Sequence, residues 1–334
     1  FVTMFNVSKN VLVTGSSGFI GFNLSKRLLN EGHKVTGIDS FNEAYDPSFK
    51  RLRQQILKKD LNFNDYELNL DIYENLESIK ENSDLNFDIV FHLAARAGVR
   101  QSFLDPISYI RDNTIATTNV ANFVKDFEID KLVLASTSSI YGNSGSNKMT
   151  EGEDEKIEPP SIYAASKLSG EVFAKNILEN TVSNIIITRF FTVYGPFGRP
   201  DMSILRFIHW IVEGKKVNLF GDGKQSRSFT YIDDVTELLI LCENTNTNCT
   251  LNVGNNSTST LIEIIQYIEE ATGKKAEIDY QERAYKDPDV VLPNLENTKN
   301  TTGWTAKTDI KSGIENTVKW YFENRDLIKN LKYI

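Results

Sequence analysis

The stretch "VLVTGSSGFIG", residues 11–21, runs from apolar residues through Gly15, Gly18 and Gly21 into an amphipathic pattern. Glycines so spaced after a strand permit a tight turn, close approach of backbone to a pyrophosphate, and close helix–strand packing. The N-terminus of the helix that follows supplies free N–H groups and a positive dipole end for phosphates. An ordinary glycine-rich turn is the alternative. The next apolar run, "KVTGID", weakens that alternative by ending at Asp39, about twenty residues on, where a carboxylate accepts from both ribose hydroxyls of a dinucleotide. An acid there repels a 2′-phosphate, so NAD is expected over NADP. The expected cofactor contacts here are Gly15, Gly18, Phe19, Ile20, Gly21, Asp39 and Asn42.

Apolar runs and helical patterns keep alternating. "FDIVFHLAA", "KLVLAS" and "NIIITRFF" read as buried strands, and "FIGFNLSKRLLNEG" and "YIRDNTIATTNVANFVKDFE" as helices between strands. This predicts an α/β fold, a Rossmann-type doubly wound parallel sheet with ligands at the carboxyl ends of its strands. After about residue 190 the alternation loosens. Loops, "ILRFIHWIVEG" and the late "SGIENTVKWYFENR" suggest a smaller α/β substrate-binding domain, while "SRSFTYIDDVTELLILCEN" reads as a return to the sheet. The expected division is discontinuous: residues 1–190 plus about 228–255 for NAD, and 191–227 plus about 256–334 for the substrate.

The formal charge of −8 argues against a general nucleic-acid binder, which needs clustered basic residues to neutralise phosphates. Two cysteines and three histidines provide neither a disulfide framework nor a metal-ligand pattern. No apolar run reaches membrane-spanning length. The opening "FVTMFNVSKNVLVTG" passes almost directly into a strand without a signal-peptide layout, so a cytoplasmic protein is expected, without metal or membrane partner.

Two more positions suit a cofactor cleft. Asp71, in "LNLDIYE", is placed to meet an adenine amino group, with Ile72 beside it. "HLAARAG" leaves a strand through small Ala94 and Ala95, against which a cofactor can lie, and Asn113 joins this set. "YAASK" puts Tyr163 and Lys167 on one helical face, where an ammonium lowers a phenol pKa so that tyrosinate acts as base near neutral pH. The same Lys can bond a nicotinamide ribose. An amphipathic helix with incidental polar residues is the alternative. Upstream, "LASTSSIYG" ends a strand in hydroxyl residues, and Thr137 is placed to share a hydrogen bond with a sugar hydroxyl.

The glycine triplet, the hydroxyl run and YxxxK together resemble the extended short-chain dehydrogenase/reductase family, the nucleotide-sugar epimerases and dehydratases. The resemblance covers nearly the whole chain, including "LFGDGKQSRSFTYIDDV", similar to the family's diphosphate-binding segment. It implies that Arg227 holds a UDP diphosphate, although Ser228 stands where many relatives carry Asp. "YKDPDVVLP" resembles the nucleotide-contacting segment, which implies Asp289 on the uridine ribose, with Lys286 where Arg is common. It also implies a homodimer through a four-helix bundle built from "NTIATTNVANFVKDF" and "YAASKLSGEVFAKNIL", whose apolar faces could equally cover the sheet.

Related dehydratases and decarboxylases carry an acid directly after the catalytic hydroxyl residue. Here Ser138 and Ser139 follow Thr137, which disfavours elimination and leaves epimerisation. "RFFTVYGPFGRPDM", "IDSFNEAYDPSFKRLR" and "HLAARAGVRQS" resemble UDP-glucuronate 4-epimerases, with Thr192 where galactose-type enzymes carry Asn and Arg96 replacing a commoner Gln. The resemblance implies a UDP-hexuronic acid as substrate. Arg199, with Thr192 and Ser138 or Ser139, is then the candidate holder of its carboxylate, since a guanidinium fork matches a carboxylate. A purely structural Arg199, paired with Asp201, is the alternative. Rival functions are a UDP-glucose or UDP-N-acetylglucosamine 4-epimerase, and a catalytically silent NAD-binding regulator.

Overall fold

Val11, Leu12 and Val13 are all fully buried in strand β1 (Asn10–Thr14), the pattern of a strand covered on both faces. The computed structural model describes residues 8–81, 86–142, 148–151, 158–282 and 290–332. After β1 come α1 (Phe19–Asn30), β2 (Lys34–Asp39), α2 (Pro47–Leu57), β3 (Phe63–Glu67), α3 (Tyr73–Glu81) and β4 (Ile89–His92). Short helices α4 (Val99–Leu104) and α5 (Pro106–Tyr109) lead through a π-helical turn, Ile110–Ile115, into α6 (Ala116–Asp126). β5 (Lys131–Thr137) ends in a 3-10 turn, Ser138–Tyr141, and α7 (Ile162–Leu178) returns to β6 (Asn184–Phe190).

The chain continues through β7 (Thr192–Tyr194), α8 (Ser203–Val212), β8 (Val217–Phe220), β9 (Ser226–Arg227), β10 (Phe229–Tyr231), α9 (Ile232–Leu241) and β11 (Cys249–Val253). It closes with β12 (Ser259–Thr260), α10 (Leu261–Thr272), β13 (Ile278–Gln281), β14 (Val290–Val291), α11 (Glu296–Thr302) and α12 (Ile310–Ile328).

Seven strands form one parallel sheet in the order β11-β6-β5-β4-β1-β2-β3. The expected doubly wound sheet is thus present, with its switch point beside β1, where β4 and β2 diverge. The two faces carry separate cores. Val11 and Val13 point to the side of Phe22, Phe49 and Leu238, while Leu12 joins Val90, Val120 and Leu132 on the other. α9 packs on α1, and β11 adds to the sheet beside β6. Beyond the carboxyl ends of β6 and β11, helices α8, α10 and α12 pack together with the small β8–β13 and β12–β9–β14 sheets. Among the described residues no helix is long and apolar enough to cross a membrane.

Candidate functional site

Gly15 has φ +69, and a Cβ there would lie 2.8 Å from the Ala94 nitrogen, so the turn after β1 crosses the chain leaving β4 at glycine-only distance. Gly21 is tighter still, since a Cβ would meet the Gly15 carbonyl at 2.1 Å. These approaches let α1 begin against the turn. Gly18 caps it without a side chain and its first turn carries no acid, leaving backbone N–H groups at its positive end. Phe19 is buried there and Ile20 half-buried.

Asp39 closes β2 and is largely buried. One carboxylate oxygen accepts from Ser17 N–H (3.1 Å) and the other from Phe41 N–H (2.8 Å), which fixes the group against the glycine turn with lone pairs remaining. Asn42 follows, and its side-chain oxygen accepts from Lys50 Nζ at 2.7 Å. Lys50 is buried, and burial lowers its pKa to about 8; Asp39 opposes the shift, while Arg53, Arg199 and Arg96 add to it. Sequence reasoning missed Lys50. It lies within the quoted stretch "IDSFNEAYDPSFKRLR", but nothing in the spacing marks it as buried.

Asp71 lies beyond β3, 3.6 Å from Arg111 of the π-helical turn, and Asn119 of α6 holds its loop by donating to Leu70 O (2.9 Å). Ile72 beside it is exposed. Ala94 and Ala95 are half-buried, with Ala94 N–H donating to Thr14 Oγ1 at 3.2 Å. Asn113 is fully buried. It accepts from Arg96 N–H (2.7 Å) and donates to Arg96 O (3.0 Å) and Ser166 Oγ (2.9 Å), clamping the loop after β4 to α7. Arg96 itself donates to Asp112 at 2.8 Å.

At the catalytic end, Thr137 is the last residue of β5, where its hydroxyl accepts from Ser139 N–H (3.1 Å) and hydrogen-bonds the phenol of Tyr163. Ser138 and Ser139 are half-buried in the 3-10 turn. Tyr163 and Lys167 lie on α7, whose start is set by Ser161 accepting from Ala164 N–H at 3.1 Å. Tyr109 packs edge-on to Tyr163, ring centres 6.2 Å apart. Burial raises the Tyr163 pKa, and Thr137 and Arg199 pull against that rise. Burial lowers Lys167 to about 8, with Glu171 one helical turn on acting to hold its proton. Glu171 makes a fully buried two-pronged pair with Arg189 of β6 (2.7 and 3.1 Å) and accepts from Ser136. Arg189 also donates to Tyr141 (3.0 Å), tying together α7, β5, β6 and the 3-10 turn.

Thr192 and Arg199 line one cavity together with Met202 and Phe229. Arg199 Nε and Nη2 donate to the two Asp201 oxygens at 3.0 and 2.5 Å, the pairing weighed above as a structural alternative; Nη1 is not part of it. Burial disfavours the Arg199 charge, and Asp201 more than offsets that. Arg227 ends β9, which pairs with β14 at Val290 and Val291, and its guanidinium donates to Ser226 O at 2.8 Å. Ser228, in place of the relatives' Asp, is buried and exchanges hydrogen bonds with the Asn255 backbone (2.8 and 2.9 Å). Asp289 and Lys286 lie outside the described residues.

The uncapped helix start, the anchored Asp39 carboxylate and the small Ala94–Ala95 exit together fit a dinucleotide with an unmodified adenosine ribose. Residues 11–254 match the NAD dependent epimerase/dehydratase family. The UDP-glucuronate 4-epimerase of Thermodesulfobacterium geofontis is 41% identical over 96% of this chain and 98% of its own. Among solved structures, UDP-glucuronic acid 4-epimerase from Bacillus cereus, in complex with UDP-glucuronic acid and NAD, superposes with a TM-score of 0.86 at 31% identity, covering 94% of this chain and 99% of that one. A UDP-glucose 4-epimerase from Thermotoga maritima, with UDP-glucose, gives 0.85 at 25% identity over 95% and 99%. Backbone shape therefore does not separate the sugars, and side chains must.

Proposed function

The chain belongs to the NAD dependent epimerase/dehydratase family, and from that premise we propose that it inverts C4 of a UDP-hexuronic acid, interconverting UDP-glucuronate and UDP-galacturonate. The observation that carries this reading is Arg199. It lines a cavity with Thr192, and its charge bears on the phenol of Tyr163, which puts the guanidinium on the side of the base. The glycine turn, Asp39, Lys50, Asp71 and the Ala94–Ala95 exit would hold NAD, and bound NAD supplies the hydride acceptor and donor for C4.

Tyr163, as phenolate, takes the proton of the 4-hydroxyl and becomes the neutral phenol; the hydrogen bond from Thr137 favours the phenolate before that transfer. Lys167 would meet the nicotinamide ribose from the same helix face. The 4-keto sugar turns in the cleft with Arg227 and Asp289 on its UDP, and Tyr163 returns the proton after hydride reaches the opposite face. Oxidation and reduction cancel. Ser138 and Ser139 stand after Thr137, so elimination lacks the proton donor that an acid at those positions would supply. The intermediate is a β-keto acid, and holding its carboxylate by Arg199 and Thr192 keeps the scissile bond away from the orientation that favours CO2 loss.

Incubating the NAD-loaded protein with UDP-glucuronate, UDP-glucose and UDP-N-acetylglucosamine tests the proposal. The expected result is a 4-epimer from UDP-glucuronate alone, of unchanged mass. Turnover of the neutral sugars in preference would overturn it.

We also propose a homodimer. Ile107 and Ile110 are exposed near Ile115, while Val172 and Phe173 are exposed on α7, an apolar surface suited to a four-helix bundle with a second copy. Sedimentation at micromolar concentration should give twice the chain mass; a monomer there refutes it. A cytoplasmic setting suits Cys242 and Cys249, which are unpaired.

A further inference from the structure

Arg53 of α2 is, with Arg189, the largest fully buried side chain. Arg189 has Glu171, but every acceptor described for Arg53 is neutral. Nη1 donates to Ser17 O (3.1 Å) and Tyr45 Oη (2.6 Å), Nη2 to Phe197 O (2.6 Å) and Gly198 O (3.1 Å), and Nε has no hydrogen-bond partner among the described residues. Burying a guanidinium without a carboxylate is costly, and the Phe49 ring 4.2 Å away offsets part of that cost while the hydrogen bonds set its direction. What these bonds join is specific. Ser17 lies in the glycine turn, its own N–H on Asp39; Phe197 and Gly198 directly precede Arg199.

Phe197 also carries φ 59, an unfavourable backbone conformation for a large non-glycine residue. Its ring is gripped between Phe22 (4.6 Å) and Trp320 (4.8 Å), while its carbonyl is turned onto Arg53. The loop is thus held in a strained shape from both sides, two residues before the Arg199 guanidinium.

We propose that Arg53 is a positioning residue that couples the dinucleotide turn to the carboxylate-binding loop. Anything that orders Ser17 orders Phe197–Gly198 through one rigid fork, and hence aims Arg199. This rests on the role given to Arg199 above. Arg53→Lys keeps the charge but cannot span both loops, and Tyr45→Phe keeps the ring while removing one acceptor.

In the NAD-loaded wild type, UDP-glucuronate should slow NAD release. In Arg53→Lys that slowing should shrink about tenfold, with KM for UDP-glucuronate rising by a similar factor and kcat changing less than about threefold. Tyr45→Phe should move the same quantities in the same direction by less, and it keeps the test available if Arg53→Lys does not fold. Undiminished coupling in both variants overturns the proposal, as does an equal loss of kcat and 1/KM. If the wild type ignores UDP-glucuronate but Arg53→Lys uncouples NAD release from another UDP-sugar, the coupling stands and the substrate reading falls.

Discussion

Tyr163→Phe lowers kcat with UDP-glucuronate by about a hundred- to ten-thousand-fold, the span expected for loss of a positioned general base. The fold and NAD content stay as in the wild type. The substitution removes one oxygen and leaves the ring packed edge-on to Tyr109. Thr137 keeps its bond from Ser139 N–H, so the 3-10 turn is not released. The pH profile adds a second check. Burial raises the phenol pKa, and Thr137 and Arg199 offset this only in part. A phenol whose pKa is raised is deprotonated more as pH rises, so wild-type kcat/KM is expected to climb with pH. The residual activity of Tyr163→Phe lacks that limb. Full activity in the variant, or an unchanged pH slope, removes Tyr163 from the base position.

The glycine turn was legible because its constraint is local. Gly15, Gly18 and Gly21 are adjacent in sequence to the strand and helix they join, and Asp39 follows at the next strand end. Tyr163 and Lys167 were legible for the same reason, sharing one helix face. The environment of the phenol was not. Helical spacing pairs it with Lys167, and the fold adds Thr137 and Arg199, brought in by β5 and the loop after β7. Lys50 and Arg53 were equally hidden. Nothing in the spacing of α2 marks them as buried, and only the fold places Arg53 against Phe197, distant in sequence. Glu171 and Arg189 form a buried pair across α7 and β6 that no spacing rule signals.

Arg199→Ala should weaken UDP-glucuronate binding to the NAD-loaded protein by about ten- to a hundredfold, the scale of hydrogen bonds to a charged group. UDP-glucose, which lacks the carboxylate, should change less than about threefold. The Asp201 pair sharpens this contrast. With Arg199 gone, Asp201 loses its two-pronged partner, keeps only the more general attraction of Arg206, and repels an incoming carboxylate, so attraction is lost and repulsion gained together. The double variant Arg199→Ala/Asp201→Ala separates the two, recovering the repulsive part and leaving the deficit from the missing guanidinium. A carboxylate no longer held is also freer to leave from the β-keto acid, so the fraction of decarboxylated product should rise in Arg199→Ala. Were Arg199 only a partner for Asp201, both sugars would lose affinity alike, and the double variant would restore neither selectively.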